Sequence, residues 1–397
     1  MHIVQICQRF FYGRGQEVHV YNLSNELAKQ GHKITIFTSE VDVSTVFRNS
    51  LKLHPNIEIK TSKAVTIKYP SNQLLFPNLG DELMQMGDID IIHAHGAMCY
   101  SSLVGLTIAK TKKIPFVFTP HFHPWRFFEQ RPYRYTREAY ETAFTVPIMR
   151  EATAVIAVSP FEKHYLTTRR KLPKEKIHVI ANGINTLYYP SIVSRRAVRT
   201  KNNIPENKKY IIGFGAKTDA RKGIDRILRV FDVVNRKMPE THLIIAGWIY
   251  KKNADHIAKL MDTLACRKNV TTLGYVSEDD KVALIKMSDV LISPTSYEAF
   301  GIVLGEAMTL KVPVVVTRIG GTPFIVKHRK TGFTVGQYNS INKFAKYTLE
   351  LLRNDKLRER MGGEGKRIVR TYFTWEKIAK QINKLYKTVN TENKAIK

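Results

Sequence analysis

The sequence predicts an α/β protein made of two Rossmann-like domains. Short apolar runs alternate with amphipathic stretches through both halves of the chain. Runs rich in β-branched residues and bounded by turn signals are typical of parallel strands that helices cover on both faces. The length of 397 residues is long for one domain and suits two, and the 43% hydrophobic fraction excludes a disordered chain.

The alternation is regular in each half of the chain. In the first half we predict strands at 2–7, 33–38, 89–93, 114–119, 154–158 and 177–180, and helices at 17–30, 72–86, 100–110 and 135–150. In the second half we predict strands at 210–213, 241–246, 270–273, 290–292 and 312–316, and helices at 223–237, 255–265, 278–287 and 301–310. Two such sets predict two sheets, each able to bind a ligand at the carboxyl ends of its strands.

The domains are predicted at 1–190 and 191–372, followed by a helix with a polar tail at 373–397. The region around the boundary contains Pro190 and Pro205 and shows no clear periodicity. The final helix has an apolar stripe (Ile378, Ile382, Leu385, Val389) and a lysine stripe (Lys377, Lys380, Lys384, Lys387). This pattern favours packing of the helix on a neighbouring domain, with an anionic membrane surface as the alternative.

The positive charge is concentrated in the second half of the chain. Residues up to Pro190 contain 23 Lys and Arg against 15 Asp and Glu, and the remainder contains 40 against 19, of a net charge of +29. Such a field attracts polyanions, which include nucleic acid, anionic lipid and diphosphate substrates. Three cysteines without paired spacing predict a cytoplasmic protein. The absence of a long apolar run in the sequence limits the expected membrane contact to the surface.

The most informative segment of the sequence contains Glu298 and Glu306. A predicted strand ends in a polar turn, and a helix begins near Phe300. Because eight residues are close to two helical turns, the two carboxylates are expected on one side of that helix. The first N–H groups of a helix have no partner within it and can hold an anion, here those of Gly301, Ile302 and Val303. Two carboxylates beside free amides suit a nucleotide sugar.

The turn that follows the first strand is informative in each half of the chain. Lys217 and Lys222 precede a helix in the second half, where they can neutralise a departing diphosphate. Gly15 lies in the turn before the first helix, where a glycine lets a ligand approach the backbone. This turn has Val18 in place of the third glycine of a dinucleotide-binding motif, which argues against an NAD enzyme.

Four histidines lie at the ends of two predicted strands, namely His93, His95, His121 and His123. Alternate residues of a strand share a face, so a zinc site is one hypothesis for these pairs. We favour a substrate-orienting or catalytic role for His121 and no metal. The segment from Phe122 to Tyr140 mixes aromatic residues with arginines, and it provides Trp125, Arg126 and Arg131 as acceptor-binding candidates.

Taken together, these segments resemble retaining glycosyltransferases of family 4, which have the GT-B fold. The resemblance extends over nearly the whole chain and is carried by residues 119–121, 158–162, 179–185, 217–223, 298–306 and 320–323, together with the first turn and Glu17. It implies two Rossmann-like domains that face a central crevice. It also implies a donor nucleotide held mainly by the C-terminal domain, and a final helix that crosses back to the N-terminal domain.

The resemblance also implies roles for single residues. Glu298 would face the donor sugar and Glu306 the ribose hydroxyls, while Lys222 would hold the diphosphate and His121 would lie in the sugar pocket. No divalent metal and no cofactor are expected. Two positions depart from the family pattern: Ala216 stands where an arginine is common, with Lys217 beside it, and Phe324 stands where a glutamate is usual.

The function expected from the sequence is retaining transfer of a hexosyl unit from a nucleoside diphosphate sugar to a hydroxyl. A lipid or lipid-linked glycan is the expected acceptor, an anionic membrane surface is a possible partner, and nucleic acid is not expected. One alternative is a nucleotide-sugar epimerase of the same architecture. Another is a non-catalytic protein that binds polyanions or RNA on an inactivated fold.

Overall fold

A computed structural model describes residues 1–12, 15–67, 73–97, 99–122, 124, 135, 138–186, 194–215, 220–247, 249 and 254–396. The chain forms two compact units. The first consists of Met1–Gly183 together with Trp375–Lys397, and the second of Ile184–Thr374. The boundary predicted after residue 190 falls among residues 187–193, which lie outside the described part of the chain.

The first unit contains a parallel sheet of seven strands in the order β3-β2-β1-β6-β7-β8-β9. Its strands are β1 (His2–Ile6), β2 (Lys33–Ser39), β3 (Ile57–Ser62), β6 (Ile91–His95), β7 (Phe116–Thr119), β8 (Ala154–Ala157) and β9 (Ile177–Val179). A separate antiparallel pair is formed by β4 (Val65–Ile67) and β5 (Gln73–Leu75). The order of the sheet reverses between β1 and β6, which is the place where open α/β sheets bind ligands.

Helices follow most strands of the first unit. They are α1 (Gly15–Lys29), α2 (Thr45–Ser50), α3 (Leu79–Gln85), α4 (Tyr100–Thr111), α5 (Val146–Glu151), α6 (Pro160–Arg169) and, after the second unit, α15 (Trp375–Ile396). A π-helical turn at Glu141–Thr145 leads into α5. The start of α6 is fixed locally, because Ser159 accepts a hydrogen bond from the Glu162 N–H and Pro160 occupies the first turn.

The second unit contains a parallel sheet of six strands in the order β12-β11-β10-β13-β14-β15. The strands are β10 (Lys209–Phe214), β11 (Thr241–Ala246), β12 (Val270–Thr272), β13 (Val290–Ser293), β14 (Val314–Thr317) and β15 (Gly332–Val335). This order reverses between β10 and β13. Each unit thus has the predicted Rossmann-like architecture, which confirms the fold class expected from the alternation of apolar runs.

The helices of the second unit flank this sheet in chain order. They are α7 (Arg195–Lys201), α8 (Ile224–Lys237), α9 (Ala254–Thr263), α10 (Glu278–Met287), α11 (Ile302–Thr309), α12 (Thr322–Ile325), α13 (Ile341–Arg353) and α14 (Asp355–Tyr372). Ser277 caps α10 and Asn354 caps α14, each by accepting a hydrogen bond from an N–H group of the first turn.

The predicted helix at 72–86 is wrong in its first part, because β5 occupies Gln73–Leu75 and the helix begins only at Leu79. Strands β3 and β15 were not predicted from the sequence. The side chains of β3 are mostly half-exposed or exposed, so this edge strand has no continuous apolar run. In β15, a glycine and a threonine interrupt a strand of only four residues.

Helix α15 packs within the first unit. The side chains of its predicted apolar stripe are all buried, and the four lysines of the other stripe are exposed. Where the helix begins, a Cβ atom on Gly183 would lie 2.2 Å from the indole of Trp375, so the glycine leaves room for this ring. The structure therefore supports packing as the role of the apolar stripe. Among the described helices, none combines the length and the hydropathy needed to cross a bilayer.

Candidate functional site

The candidate site of the second unit lies where its strand order reverses. β10 and β13 run side by side there, and the loops that leave their carboxyl ends contain the residues selected from the sequence. A 3-10 turn at Ala220–Lys222 leads from the first loop into α8, and the loop after β13 contains Glu298. This topology brings Lys222 and Glu298 together although 76 positions separate them in the chain.

Hydrogen bonds to main-chain carbonyl oxygens connect the two loops. The Ser296 N–H donates to the carbonyl oxygen of Arg221 over 3.0 Å. The Arg226 guanidinium donates to the carbonyl oxygen of Pro294 over 2.8 Å and to that of Arg221 over 3.1 Å. One arginine of α8 thus holds both loops, and the position of Lys222 follows from these contacts.

Lys222 and Glu298 form an ion pair. The Lys222 Nζ lies 2.8 Å from the Glu298 Oε2, and the side chains are 24% and 17% exposed. Each charge is compensated by the other, and both remain within reach of a ligand. A diphosphate can compete with Glu298 for the ammonium, since charge-assisted hydrogen bonds to phosphate are strong.

Gly320 and Gly321 support the main chain of Glu298. The Gly321 N–H donates to the Glu298 carbonyl oxygen over 2.8 Å. A Cβ atom on Gly320 would lie 2.1 Å from that oxygen, and one on Gly321 would lie 2.0 Å from the carbonyl oxygen of Ala299. Gly320 also has a φ of +56°, in the left-handed region. The glycine pair is therefore required by the close approach of two backbone segments.

The first turn of α11 follows directly after Glu298. Gly301 caps the helix with a φ of +99°, a conformation that favours glycine. The N–H groups of Leu304 and Gly305 both donate to the Gly301 carbonyl oxygen. The N–H groups that precede them begin the helix and have no acceptor one turn earlier, and Ile302 and Val303 are only half-buried. This end of α11 can hold an anion close to Glu298.

The Phe300 side chain is part of the core and is only 1% exposed. Its ring packs edge-to-face on Phe373, at 5.6 Å between centroids, and on Phe324 at 6.3 Å. Of the donor-binding candidates, Phe300 can therefore reach a ligand only through its main chain. The same cluster explains why Phe324 stands where the family pattern has a glutamate, because its ring packs on both other phenylalanines.

Glu306 lies on α11 and is paired with a lysine of α10. The Lys281 Nζ lies 2.9 Å from the Glu306 Oε1 and 2.7 Å from the Glu278 Oε2. Burial disfavours the ammonium, but the nearby carboxylates of Glu306 and Glu278 outweigh this effect and raise the pKa of Lys281 above its ordinary value. Lys281 therefore stays charged and fixes the orientation of the Glu306 carboxylate.

The candidate residues of the first unit lie where its own sheet reverses order. Gly15 is the first residue of α1, the helix that follows β1, while Gly13 and Arg14 lie outside the described residues. Helix α1 then contributes the buried side chains of Glu17 and His19. The first turn of α1 thus lies at the carboxyl end of β1.

Three histidine rings converge at this end of the sheet. His19 lies on α1, His95 ends β6, and His121 follows β7 with a φ of +45°. The ring centroids of His19 and His121 are 5.0 Å apart, and those of His95 and His121 are 5.7 Å apart. One nitrogen from each ring lies within 4.8 Å of the other two, a spacing from which the three histidines are able to converge on one ion.

Two of these rings are fixed by amide side chains. The His19 Nδ1 lies 2.9 Å from the Asn182 Oδ1, and the His95 Nε2 lies 2.5 Å from the Gln5 Oε1. Burial lowers the pKa of His19 to about 4, against the opposing effect of the bond to Asn182. Burial, and then the neighbouring histidines, lower the pKa of His95 well below its usual value. Both rings are neutral at physiological pH.

His93 belongs to a different contact network from His95, although both lie on β6. Its Nδ1 lies 2.5 Å from the Tyr386 hydroxyl and its Nε2 lies 2.7 Å from the Thr119 hydroxyl. Both nitrogens are therefore engaged, and His93 does not face the cluster as a ligand. The structure pairs His95 with His19 in place of His93.

A buried carboxylate holds the loop that contains His121. The two oxygens of Glu162 accept hydrogen bonds from the N–H groups of Phe122 and Val158, over 2.9 and 2.6 Å. Burial raises the pKa of Glu162 to about 7, which the two N–H donors oppose. Glu162 thus ties the loop after β7 to the loop after β8.

Several sequence-based candidates lie outside the described residues, namely Lys217, Trp125, Arg126, Arg131 and His123. Three residues of these sites, His19, Asn182 and Lys281, were not predicted from the sequence. His19 could have been found by its position on the first helix after β1, where the sheet reverses order. Asn182 belongs to the site of the first unit and Lys281 to that of the second. Each comes from a distant segment of the chain, and no local sequence pattern identifies it.

Comparisons with known proteins agree with this architecture. The family described as glycosyl transferases group 1 matches residues 194–368, and that described as Glycosyltransferase Family 4 matches residues 13–187. The chain is 26% identical to the N-acetyl-α-D-glucosaminyl L-malate synthase of Bacillus anthracis over 94% of this chain and 93% of the relative. The two family matches are separated by residues 188–193, a few residues after the point at which the first unit gives way to the second.

Two solved structures show the same fold. The sucrose-phosphate synthase of Thermosynechococcus elongatus superposes with a TM-score of 0.80 at 21% identity, covering 99% of this chain and all of the other. HepE of Anabaena, solved in complex with UDP-glucose, superposes with a TM-score of 0.78 at 18% identity, covering 98% of this chain and all of the other. At these identities the likeness establishes the GT-B fold.

Proposed function

Because the chain is a glycosyltransferase of the family 4 type with the GT-B fold, we propose that it transfers a hexosyl unit from a nucleoside diphosphate sugar to a hydroxyl acceptor, with retention at the anomeric carbon. The observation that carries this proposal is the ion pair of Lys222 with Glu298 beside the first turn of α11. It combines a cation and helix amides for a diphosphate with a carboxylate for a sugar.

In this proposal the second unit binds the donor. Lys222 and the N–H groups of Ile302 and Val303 bind the diphosphate, and Lys217 adds a positive charge. Glu306, oriented by Lys281, accepts hydrogen bonds from the ribose hydroxyls. Glu298 contacts the transferred sugar, and His121 has a catalytic or substrate-orienting role.

The chemical step breaks the bond between the anomeric carbon and the diphosphate oxygen. The bonding electrons leave with the nucleoside diphosphate, and Lys222 with the helix amides stabilises the charge that develops there. The acceptor oxygen bonds to the anomeric carbon on the face that the diphosphate leaves, and its proton passes to the departing phosphate oxygen. Since fixed protein groups offset the diphosphate charge, we propose that no divalent metal is required.

For the acceptor we propose a lipid or a lipid-linked glycan, bound by the first unit with Trp125, Arg126 and Arg131. The support is the Arg-rich aromatic segment, the balance of +21 after Pro190 and the exposed lysine stripe of α15. A positive surface attracts anionic lipid by about 1 kcal/mol per basic residue near the membrane. We therefore propose that the protein works at the surface of an anionic membrane on the cytoplasmic side.

The test begins with a thermal-shift screen of uridine, guanosine and adenosine diphosphates and of their sugars, because a ligand of the folded state stabilises it. UDP-glucose is the first donor to test, given the structure of HepE. Transfer is then measured with glycan and lipid acceptors, with and without EDTA, and the anomeric configuration of the product is determined by NMR. Donor conversion without acceptor would indicate an epimerase, and loss of transfer in EDTA would contradict metal independence.

The membrane part of the proposal has its own test. Binding to vesicles that contain anionic lipid should weaken steeply as salt rises, and neutral vesicles should bind little. Replacing Lys380, Lys384 and Lys387 by glutamine should weaken this binding if the exposed lysine stripe of α15 contacts the membrane. Equal binding to neutral and anionic vesicles would contradict an electrostatic association.

A further inference from the structure

The histidine cluster of the first unit is built by three separate elements. His19 comes from α1, His95 from the end of β6 and His121 from the loop after β7. A lone buried histidine is common, but here three imidazole nitrogens lie within 4.8 Å of one another. The fold, and no local sequence motif, creates this arrangement.

The hydrogen bonds around the cluster determine which ring nitrogens keep a free lone pair. Asn182 and Gln5 present amide oxygens, so the His19 Nδ1 and the His95 Nε2 must donate to them. Each ring therefore carries its lone pair on the other nitrogen, His19 Nε2 or His95 Nδ1. These two nitrogens are buried and have no hydrogen-bond partner among the described residues.

Buried polar atoms without a partner are rare, because losing water without a replacement costs free energy. Here two such atoms belong to fully buried rings of a three-histidine cluster, so they are available to a ligand that the cluster binds. An imidazole that donates one N–H to a side-chain or main-chain oxygen and offers the other nitrogen is also the usual arrangement of histidines that bind metals.

We propose that His19, His95 and His121 bind one divalent transition-metal ion of the zinc class. The three ligands offer nitrogen only, which suits zinc and its neighbours and does not suit Mg²⁺ or Ca²⁺, whose ligands are oxygens. Zinc–nitrogen bonds of about 2.1 Å place ligand nitrogens about 3.4 Å apart, and the three nitrogens of the cluster lie within 4.8 Å of one another. His121 is the half-buried member of the cluster, and the other two rings are fully buried.

A second set of contacts keeps the fixed rings in place. The Gln5 amide donates to the Tyr386 hydroxyl over 3.5 Å, and this hydroxyl lies 2.5 Å from the His93 Nδ1. The His93 ring in turn stacks on His95 with 4.0 Å between centroids. Helix α15 thus orients a proposed ligand through Gln5, and loss of such supporting contacts typically weakens metal binding about 10- to 100-fold.

The bound ion is expected to inhibit transfer. This part rests on the proposed function, which gives His121 a place in the sugar pocket and needs no metal. An imidazole that coordinates zinc is no longer available to a sugar hydroxyl. Zinc should therefore lower the transfer rate, and a chelator should restore it.

Binding is tested without any enzymatic assay. The full-length protein is freed of metal with a chelator and titrated with Co²⁺, whose visible absorption reports tetrahedral coordination by nitrogen. Competition with a coloured chelator then gives the stoichiometry and affinity for Zn²⁺. We expect one ion per chain, and no change when Mg²⁺ is added in excess.

Variants assign the site. His19→Gln, His95→Gln and His121→Asn should each weaken Zn²⁺ binding at least 100-fold, and Asn182→Leu should weaken it about 10- to 100-fold. His121→Asn keeps a residue that tolerates a positive φ, so it is informative if the buried variants do not fold. His242→Gln is the control, since it removes a buried histidine of the second unit. It should keep one ion per chain with unchanged affinity, whereas His93→Gln, which removes the ring stacked on His95, should weaken binding less than the three ligand variants do.

Three results would overturn the proposal. One is a wild-type protein that binds no Zn²⁺ or Co²⁺ at micromolar concentration. Another is binding that persists in the three histidine variants. The last is a sulfur-to-cobalt charge-transfer band, which would assign the ion to a cysteine, of which the chain has Cys7, Cys99 and Cys266. If the protein transfers no sugar under any condition, the titration still decides whether the ion binds.

Discussion

The two units place polar groups at the same point of the same architecture but compensate them differently. In the second unit, Glu298 and Glu306 are each paired with a lysine at less than 3 Å. In the first unit the corresponding place holds neutral imidazoles, and two of their nitrogens have no hydrogen-bond partner among the described residues. The fold determines where a ligand binds, and the side chains determine whether that ligand is an anion with hydroxyls or a metal ion.

The largest expected effect concerns Glu298, the carboxylate of the second unit for which we propose contact with the transferred sugar. Glu298→Gln should lower the turnover of transfer about 1000-fold, or ~4 kcal/mol, because it removes a charge that acts in the transition state. Its affinity for the nucleoside diphosphate should change little. Turnover is measured at saturating donor, with Glu359→Gln as the control because that side chain is exposed on α14. Wild-type turnover in Glu298→Gln would show that the paired carboxylate has no catalytic role.

The next effect concerns the support of that carboxylate. Gly321→Ala should lower the free energy of unfolding of the second unit by about 3 kcal/mol, since the new Cβ would lie 2.0 Å from a carbonyl oxygen. The matched control is Gly336→Ala, where no atom lies within 4 Å of the added Cβ and a change below about 0.5 kcal/mol is expected. Denaturant titration gives both values. Equal stability of the two variants would mean that the glycine pair is not needed for packing.

Glu162 is a buried carboxylate for which the described residues provide no lysine partner, so the pH dependence of stability offers a further comparison with the paired carboxylates. Burial raises the pKa of Glu162 to about 7, so the folded protein keeps a proton that the unfolded chain releases near pH 4.5. The stability that wild-type Glu162 contributes is therefore greatest below about pH 4.5. It is lost as the pH rises from there through 7, by up to roughly 3 kcal/mol. Hydrogen exchange of amides in β7 and β8 should show the advantage of wild type over Glu162→Gln shrinking between pH 5 and 8. An advantage that grows over this range would contradict the raised pKa.

The smallest effect concerns the lysine that orients Glu306. Lys281→Met should weaken binding of the nucleoside diphosphate about tenfold, because the Glu306 carboxylate loses its fixed orientation. Calorimetry measures the affinity, and Lys286→Met on the exposed side of the same helix is the control. Tighter nucleotide binding in Lys281→Met would mean that the lysine competes with the ribose for Glu306.

The sequence predicted the fold class because buried strands such as β10 and β13 are continuous apolar runs. It also predicted that Lys222, Glu298 and Glu306 belong to one site. Each follows a predicted strand, and parallel strands bind ligands at their carboxyl ends. The histidine cluster was less accessible to prediction. It needs the register of three elements, and the choice of His19 over His93 depends on contacts with Asn182 and with Tyr386, far along the chain.

The placement of α15 has a consequence for biosynthesis. The first unit lacks α15, a helix that packs within it, until the 191 residues of Ile184–Thr374 have been translated. Their translation takes roughly 10–40 s at typical rates of synthesis. During this interval the polar groups of Gln5 and His93 have no Tyr386 hydroxyl to contact. The second unit is continuous and can finish folding first. The N-terminal segment of the chain is therefore the last to reach its native state.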